Sequence, residues 1–203
     1  ASVTPIAIGL INQTWRIERS GAPVAVVQRL HPIFAPEVND DIDAITAHLA
    51  RAGMPTPLLL RTTLGARFVV SAGQTYRALS FVRGRTLTEV GSPAIARAAG
   101  ELAGRFHGAL AGLLHTFAFS RAGVHDTPSH LRGLEAALGT GGEARDLARP
   151  IGEAVLEHAR ALPPLPSTRP RIVHGDLKIT NLLFDETRDE GVAVLDLDTF
   201  AHG

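Results

Sequence analysis

The sequence predicts an α+β fold of two lobes, the first rich in β-strands and the second mainly helical. In the first lobe, short β-branched runs alternate with glycine and proline turn signals. In the second lobe, apolar residues recur at helical spacing behind capping residues, and a short β-hairpin follows near the end. We place the lobe boundary after residue 82, so that residues 1–82 form the first lobe and residues 83–203 the second. A cleft between two such lobes is a natural ligand site.

The β-rich lobe contains one predicted helix. Pro36 suits the first turn of a helix, and Gly53 marks its end. Between them, Ile42, Ile45 and Leu49 lie at helical spacing and should face the core. The predicted strands span residues 6–18 around a turn at Gly9, and then residues 24–30, 58–61, 67–70 and 75–82.

Three helices are predicted in the second lobe. Ser92 before Pro93 is an N-cap followed by a proline at the first helical position, and it predicts a helix over residues 94–114. Thr127 before Pro128 has the same form and predicts a second N-cap. Pro150 should kink or divide the third helix. The second and third helices span residues 128–138 and 143–162, and the late hairpin pairs residues 182–184 with residues 192–195.

Composition excludes several classes of function. Basic and acidic residues number 20 each, so the net charge is zero and the sequence predicts neither nucleic-acid nor membrane binding. The absence of cysteine rules out disulfides and thiolate metal sites. No apolar run reaches the roughly 20 residues that span a bilayer, and no signal peptide is visible. We therefore expect a cytoplasmic location.

The residues that carry chemistry lie in two short segments near the end. Residues 174–181 read H-G-D-L-K-I-T-N, and residues 196–198 read D-L-D. Phosphoryl transfer to an alcohol needs a carboxylate to orient the hydroxyl, oxygen ligands for magnesium, and cations on the phosphates. Asp176 and Asn181 lie at the two ends of a loop, and the hairpin should bring Asp196 beside Asn181. Asp196 and Asp198 should point to one face, and hard oxygens of this kind suit Mg²⁺.

The pattern H-x-D-x-x-x-x-N, followed by an aspartate at a strand end, matches kinase-like catalytic loops in residue types, order and hairpin spacer. It turns the general α+β prediction into a two-lobed protein-kinase-like fold. His174 is expected to brace the loop by hydrogen bonding. The alternative is a polar loop capped by Asp176 and Asn181 beside an acidic turn, which is a common structural arrangement.

The same stretch resembles the aminoglycoside phosphotransferase and choline kinase superfamily, in which the H-G-D form of this loop is usual. More narrowly, the sequence is similar to the N-acetylhexosamine kinases. Four short segments carry that similarity: residues 9–14 (G-L-I-N-Q-T), 27–30 (V-Q-R-L), 124–128 (V-H-D-T-P) and 196–199 (D-L-D-T).

The resemblance implies ATP and Mg²⁺ as cofactors and assigns roles to individual residues. Asp176 would be the catalytic base, while Asn181 and Asp196 would hold magnesium. Asp198 would be a second metal ligand or a ligand of a bound water. Lys178 would neutralise charge near the γ-phosphate, or it is a solvated loop lysine.

The residues of the first lobe that would bind the nucleotide phosphates are predicted less directly. Kinase-like folds place a cation on a central strand, and Arg29 is the candidate here because no lysine precedes Lys178. The alternative reading of Arg29 is a surface residue at a strand end. Its acidic partner would be Asp40 or Asp41, or less favourably Glu37.

The resemblance also places polar residues of the first hairpin over the phosphates, and backbone groups near residues 80–82 against the adenine by fold analogy. The hairpin residues are Gly9, Asn12, Gln13 and Thr14, and the later site is Ser80 to Val82. The equally favoured alternative is that all of them are ordinary strand and turn residues.

The substrate is predicted to be a small molecule, with a sugar such as an N-acetylhexosamine favoured over an aminoglycoside, choline or homoserine. The chain ends five residues after Asp198, whereas members of the superfamily continue with further helices that shape the acceptor pocket. We therefore expect the second lobe to be truncated at its C-terminus. A nucleotide-binding protein without catalysis is the alternative from another functional class, and the oligomeric state is left open.

Overall fold

The computed structural model describes residues 1–6, 11–121, 123–163 and 169–203, and the largest element among them is an antiparallel sheet of six strands. The strands are β1 (Ser2–Ile6), β2 (Gln13–Arg19), β3 (Ala22–Arg29), β4 (Leu59–Leu60), β5 (Val69–Ser71) and β6 (Gln74–Ser80). Their order is β1-β2-β3-β6-β4, and β5 pairs with β6 as well. Strands β2 to β6 confirm strands predicted for the first lobe, whereas β1 lies almost wholly before the predicted span of residues 6–18 and was missed. The turn predicted at Gly9 lies outside the described residues.

Helix α1 (Val38–Arg51) is the helix predicted between β3 and β4. Ile42, Ile45 and Leu49 are almost fully buried, as their helical spacing predicts. The helix ends because Gly53 adopts a φ of +73°, a left-handed conformation that glycine takes without steric cost. The buried face of α1 therefore packs on the core.

Helix α2 (Pro93–Leu110) and five short strands surround the predicted catalytic segments. Helix α2 begins where predicted, since the Ser92 side chain accepts a hydrogen bond from the Ile95 N–H at 3.2 Å. Its buried stripe includes Leu102, Phe106 and Leu110. The short strands are β7 (Arg85–Thr86), β8 (Ile172–Val173), β9 (Leu182–Phe184), β10 (Gly191–Val194) and β11 (Ala201–His202), with single 3₁₀ turns at Ile179–Asn181 and Leu197–Thr199.

One apolar core joins these parts of the chain. Buried side chains of α1 and α2 share a cluster with Phe184 of β9 and Val194 of β10. Each fully buried side chain of this size stabilises the fold by roughly 1.5–3 kcal/mol. Gly191 lies so close to Leu102 that a Cβ atom would meet the Leu102 Cβ at 2.7 Å. The late hairpin is therefore seated directly on α2.

The described residues divide into two units, one formed by Ala1–Ser120 with Pro170–Gly203 and the other by Arg121–Arg169. The lobe boundary predicted after residue 82 falls inside the first of these units. None of the helices described in either unit is both long and apolar enough to cross a membrane.

The smaller unit is a pair of helices, α3 (Thr127–Leu138) and α4 (Glu143–Ala161). The N-cap predicted at Thr127 is wrong: Asp126 is the cap, and its carboxylate accepts a hydrogen bond from the Ser129 N–H at 2.9 Å. The sequence predicts a kink or a division of α4 at Pro150, and the division does not occur, because the helix runs on through the proline. A proline removes one backbone donor, but its fixed φ is compatible with a helix.

Candidate active site

The segment that carries Asp176 is a tight loop between β8 and the 3₁₀ turn at Ile179–Asn181. Gly175 has a φ of +80°, and a Cβ atom at this position would overlap the carbonyl oxygen of Thr199. The Thr199 hydroxyl donates a hydrogen bond of 2.7 Å to the His174 carbonyl oxygen. Only glycine allows the two backbones to approach this closely, so the loop is held against the turn that follows Asp196.

His174 braces this loop, as the sequence predicts. The ring is 1% exposed, its Nε2 lies 2.8 Å from the Leu195 carbonyl oxygen, and its Nδ1 accepts a hydrogen bond from the Asp176 N–H at 3.2 Å. These two contacts require the neutral tautomer with the proton on Nε2. Burial lowers the pKa of His174 below its usual value, which favours the same neutral form.

The Asp176 carboxylate is the group best placed to act as a base. Its Oδ2 accepts a hydrogen bond of 2.5 Å from the Lys178 ammonium, while its Oδ1 accepts none from the described residues. The Asn181 amide donates to the Asp176 carbonyl oxygen at 2.8 Å and lies 3.4 Å from Oδ2. The side chains of Asp176 and Lys178 are 39% and 52% exposed. A reacting hydroxyl can therefore reach the free carboxylate oxygen.

Asp196 stands beside this loop in an unusual environment. Its φ is +60°, a conformation that costs free energy for a residue with a side chain and that concentrates at functional sites. Its carboxylate has no hydrogen bond or ion pair with the described side chains. Asp196 is exposed, but partial desolvation by the surrounding protein raises the pKa of its carboxyl above the usual value, and the charge of Asp198 adds to the rise. A bound cation would offset both effects.

Asn181 and Asp196 lie at neighbouring strand ends because β9 and β10 are paired. Leu182 lies opposite Val194, and the Leu195 N–H donates a hydrogen bond of 2.8 Å to the Asn181 carbonyl oxygen. The Asn181 amide nitrogen faces Asp176, so its amide oxygen is left for another partner. An amide oxygen and a carboxylate oxygen fit a divalent cation such as Mg²⁺.

The protein part of this cation site is small. In the portion of the chain that the structure describes, no group of three His, Cys, Asp or Glu side chains is arranged to hold a metal. Mg²⁺ commonly takes one or two protein oxygens and completes its shell with water and substrate phosphates. The donor set of Asn181 and Asp196 fits that mode of binding and does not form a closed cage.

Asp198 differs from the prediction of a second metal or water ligand. Its side chain is fully buried and forms a two-pronged ion pair with Arg77, with Nη1–Oδ1 at 2.5 Å and Nη2–Oδ2 at 2.8 Å. The Asn12 amide donates a third hydrogen bond to Oδ2 at 2.6 Å. Asp198 is therefore occupied by protein donors.

Arg77 is the site residue that the sequence analysis missed. It lies on β6 directly opposite Gln28 of β3, whose side-chain oxygen accepts from Nε at 2.9 Å and from Nη2 at 2.7 Å. The only signal in the sequence was a charged residue within a run predicted to be a strand. A buried arginine needs an anionic partner, but the sequence did not indicate which aspartate supplies it.

Arg29, which was predicted to be the phosphate cation, lies on the other face of the sheet. It pairs across the strands with Tyr76, one position along from the pair of Gln28 and Arg77. Successive residues of a strand point to opposite faces, so the side chains of Arg29 and Arg77 point away from each other. Arg29 lines a shallow pocket with Trp15. The structure does not bring Arg29 together with Asp196.

The acids predicted to pair with Arg29 also have other partners. Asp40 forms an ion pair with Arg67 at 3.1 Å. The buried Asp41 carboxylate lies 2.7 Å from His115 Nε2 and accepts a hydrogen bond from the Ala118 N–H at 2.8 Å. Asp41 therefore anchors α1 to the segment after α2, and the predicted ion pairs with Arg29 do not form.

The polar residues of the first hairpin lie near Asp198. Asn12 accepts a hydrogen bond of 2.9 Å from the His31 N–H with its oxygen and donates to Asp198 with its nitrogen. The Thr14 hydroxyl accepts a bond of 3.3 Å from Gln28. Both side chains are thus part of the Arg77 network.

The residues predicted to meet the adenine stand at the end of β6. The Ser80 N–H donates to the Leu58 carbonyl oxygen at 2.8 Å, and its hydroxyl accepts from the Leu58 N–H at 2.9 Å. Both groups are used within the sheet. Val82 follows two residues later, where the chain leaves β6 for β7. Contact of either residue with a nucleotide stays a prediction.

Comparison with known proteins settles the family. The family model described as "phosphotransferase enzyme family" matches residues 2–203. The chain belongs to this family. The predicted superfamily is therefore confirmed, whereas the narrower similarity to N-acetylhexosamine kinases stays a prediction.

Solved structures agree with the kinase-like fold. An amicoumacin kinase in complex with AMP-PNP, Ca²⁺ and Ami has a TM-score of 0.68 at 16% identity, and the match covers 99% of this chain and 60% of that one. An aminoglycoside 2'-phosphotransferase mutant in complex with GDP has a TM-score of 0.65 at 15% identity, covering 100% and 67%. An ADP-bound aminoglycoside phosphotransferase has a TM-score of 0.59 at 13% identity, also covering 100% and 67%. The predicted two-lobed fold is confirmed, and the chain spans 60–67% of these structures.

Proposed function

We propose that this chain carries the catalytic base and the cation-binding residues of a phosphotransferase that moves the γ-phosphoryl group of ATP to a hydroxyl of a small molecule. One observation supports this most directly. The free carboxylate oxygen of Asp176, the amide oxygen of Asn181 and the exposed carboxylate of Asp196 all lie at the ends of β9 and β10. These are the groups that phosphoryl transfer to an alcohol requires.

In the proposed reaction, Asp176 orients the acceptor hydroxyl and takes its proton through Oδ1. A bond forms between the acceptor oxygen and the γ-phosphorus as the bond to the bridging oxygen breaks and ADP leaves. When bound, a divalent cation such as Mg²⁺ would neutralise phosphate charge, and Asn181 and Asp196 would hold it. The His174 ring contacts the Leu195 carbonyl oxygen and accepts a hydrogen bond from the Asp176 N–H, and these contacts keep the base and the cation-binding turn in register.

Lys178 contributes a positive charge beside the base. Its ammonium lies 2.5 Å from Asp176 Oδ2 and is half exposed. In this position it restrains the carboxylate so that Oδ1 faces the acceptor, and it adds positive charge where the transferred group is negative. An ion pair this exposed adds little to stability, so the proposed role of Lys178 is in the reaction.

The acceptor has two candidate classes. The four sequence segments similar to N-acetylhexosamine kinases favour a sugar of that kind. The solved structures with similar folds include aminoglycoside phosphotransferases, which favours an aminoglycoside as the second candidate. For choline or homoserine as the acceptor, the only support is the superfamily resemblance.

The test is ATP consumption in the presence of Mg²⁺ against a panel of N-acetylhexosamines, aminoglycosides, choline and homoserine, with Asp176→Asn as the control. Turnover with one class, lost in the control, supports the proposal and names the acceptor. Ca²⁺ and Mn²⁺ in place of Mg²⁺ identify the preferred cation. Binding of ATP without turnover of any acceptor would favour the alternative of a non-catalytic nucleotide-binding protein.

A further inference from the structure

Asp198 is held almost entirely by the β-sheet. Its side chain has no exposed surface, and three protein donors reach its two oxygens, two from Arg77 and one from Asn12. Charge-assisted bonds of this type are among the strongest hydrogen bonds in proteins. The negative charge of Asp198 is therefore compensated by the protein itself, without a metal ion.

The Arg77 guanidinium is likewise held by protein acceptors. Its Nε and Nη2 donate to the Gln28 side-chain oxygen, and Nη1 lies 3.5 Å from the Asn39 side-chain oxygen in addition to its bond with Asp198. The Arg77 side chain is only 2% exposed. The guanidinium cannot turn toward a phosphate without leaving several buried acceptors unpaired.

On its other side, Asp198 lies in the backbone turn that serves the active site. It is two residues after Asp196 and one before Thr199, whose hydroxyl holds the His174 carbonyl. The carboxylate therefore links three parts of the molecule: the first hairpin through Asn12, strand β6 through Arg77, and the turn that carries Asp196.

We propose that Asp198 is a positioning residue and not a metal ligand, and that Arg77 and Asn12 hold it so that the turn keeps Asp196 in place for a divalent cation. This inference rests on the proposed function, because it concerns the cation that Asn181 and Asp196 would hold.

The test uses Mn²⁺ as the probe, titrated by electron paramagnetic resonance in the presence of AMP-PNP, together with hydrogen–deuterium exchange. The double variant Arg77→Met/Asp198→Leu removes both buried charges together, which buried ion pairs often tolerate. It should bind as many Mn²⁺ ions as the wild type but about tenfold more weakly, the order expected for losing one charge-assisted bond. Exchange over residues 11–14 and 195–199 should rise by a similar factor.

Three further variants complete the design. Glu135→Leu/Arg160→Met removes an exposed ion pair of 3.1 Å in the helical unit and should change neither measurement. If the double variant does not fold, Arg77→Lys and Asn12→Ala replace it. Each weakens the contacts of Asp198 while leaving its charge, and each should raise exchange over residues 195–199.

Two results would overturn the inference. The first is two tight Mn²⁺ sites in the wild type, one of them lost in the double variant, which would make Asp198 a ligand. The second is unchanged exchange and unchanged Mn²⁺ affinity in variants that are folded. If the wild type binds no AMP-PNP at all, the proposed function fails, and the part of the inference that concerns the cation fails with it. The exchange data still decide whether Asp198 positions the turn.

Discussion

At the scale of single residues, the catalytic loop separates the base from the groups that hold it. Asp176 contributes a carboxylate with one free oxygen, while its backbone N–H and carbonyl are tied to His174 and Asn181. A substitution of the carboxylate alone should therefore change the chemistry and leave the loop in place.

The first prediction concerns Asp176→Asn. The amide cannot accept the hydroxyl proton, so kcat/KM should fall by about 10²–10⁴, the usual contribution of a general base. The thermal midpoint should stay close to that of the wild type, because the 39% exposed side chain bonds only to its own loop. Steady-state kinetics and a melting curve check both points. Near-normal turnover would remove Asp176 as the base.

The second prediction concerns the pH dependence of stability through His174. Its pKa is lowered in the folded chain from the usual 6.5, so the unfolded chain binds the proton more readily. Stability is therefore complete above about pH 6.5 and falls as the pH drops from there toward the lowered folded pKa. Urea unfolding at about pH 7.5 and about pH 5.5 should show lower stability at the acidic pH.

His174→Gln provides the control for this effect. Glutamine can still donate a hydrogen bond, but it does not titrate, so the loss of stability between the two pH values should shrink. Part of the loss should remain, since burial and the charge of Arg171 also lower the pKa of His107. An equal loss in His174→Gln and wild type would assign the pH dependence to other groups.

At the scale of elements, the site depends on two backbone segments that touch. The loop at Gly175 contacts Thr199 in the 3₁₀ turn at Leu197–Thr199, and Asp196, directly before that turn, has a left-handed conformation. No helix or strand dipole is needed to explain the site. The site is positioned by the pairing of β9 with β10 and by the contact of Gly175 with Thr199.

The third prediction compares two glycines with the same backbone conformation. Gly175 and Gly65 have φ values of +80° and +81°, but only at Gly175 would a Cβ atom overlap a backbone oxygen. Gly65→Ala should cost about 1–2 kcal/mol of stability from the left-handed conformation alone. Gly175→Ala should cost a further 1–3 kcal/mol or so from overpacking, and it should also lower turnover. Chemical denaturation measures both, and equal losses would argue against the close contact.

Sequence patterns predicted the elements well where the signal is local. The Ser92-Pro93 cap and the spacing of Ile42, Ile45 and Leu49 define α2 and α1 because capping and burial act within a few residues. The N-cap of α3 was misplaced by one residue. Asp126 and Thr127 are both good capping residues, and only the backbone geometry distinguishes them.

At the scale of the whole molecule, cation and nucleotide should stabilise the fold together. The Asp196 carboxyl has a raised pKa, and it has no hydrogen bond or ion pair with the described side chains, so a bound cation would stabilise its charged form.

The fourth prediction is a rise in the thermal midpoint with AMP-PNP and Mg²⁺. A ligand at about 100 times its Kd adds about 2.7 kcal/mol of stability. EDTA should remove most of that rise, and Asp196→Asn should lose the magnesium-dependent part while keeping any rise due to nucleotide alone. Equal midpoints with Mg²⁺ and with EDTA would show that the cation does not bind with the nucleotide.

The proposed chemistry could be predicted from the sequence because the residues that would carry it are neighbours in the chain. Residues 174–181 contain the proposed base, its brace and one proposed cation ligand within a single loop, and the hairpin spacer places Asp196 next to them. Fold class, family and proposed catalytic roles all follow from such local patterns.

The tertiary structure alone decided which charged groups complete the site. Arg29 and Arg77 are both arginines on predicted strands, and only the register of β3 against β6 shows that they lie on opposite faces. Arg77 forms an ion pair with Asp198, which lies 121 residues later in the sequence. A spacing pattern cannot indicate a contact of that length, because it forms only when the sheet and the late turn pack together. The contacts of Asp198, on which its proposed role rests, were therefore decided by packing, whereas the role proposed for Asp176 could be predicted from its own loop.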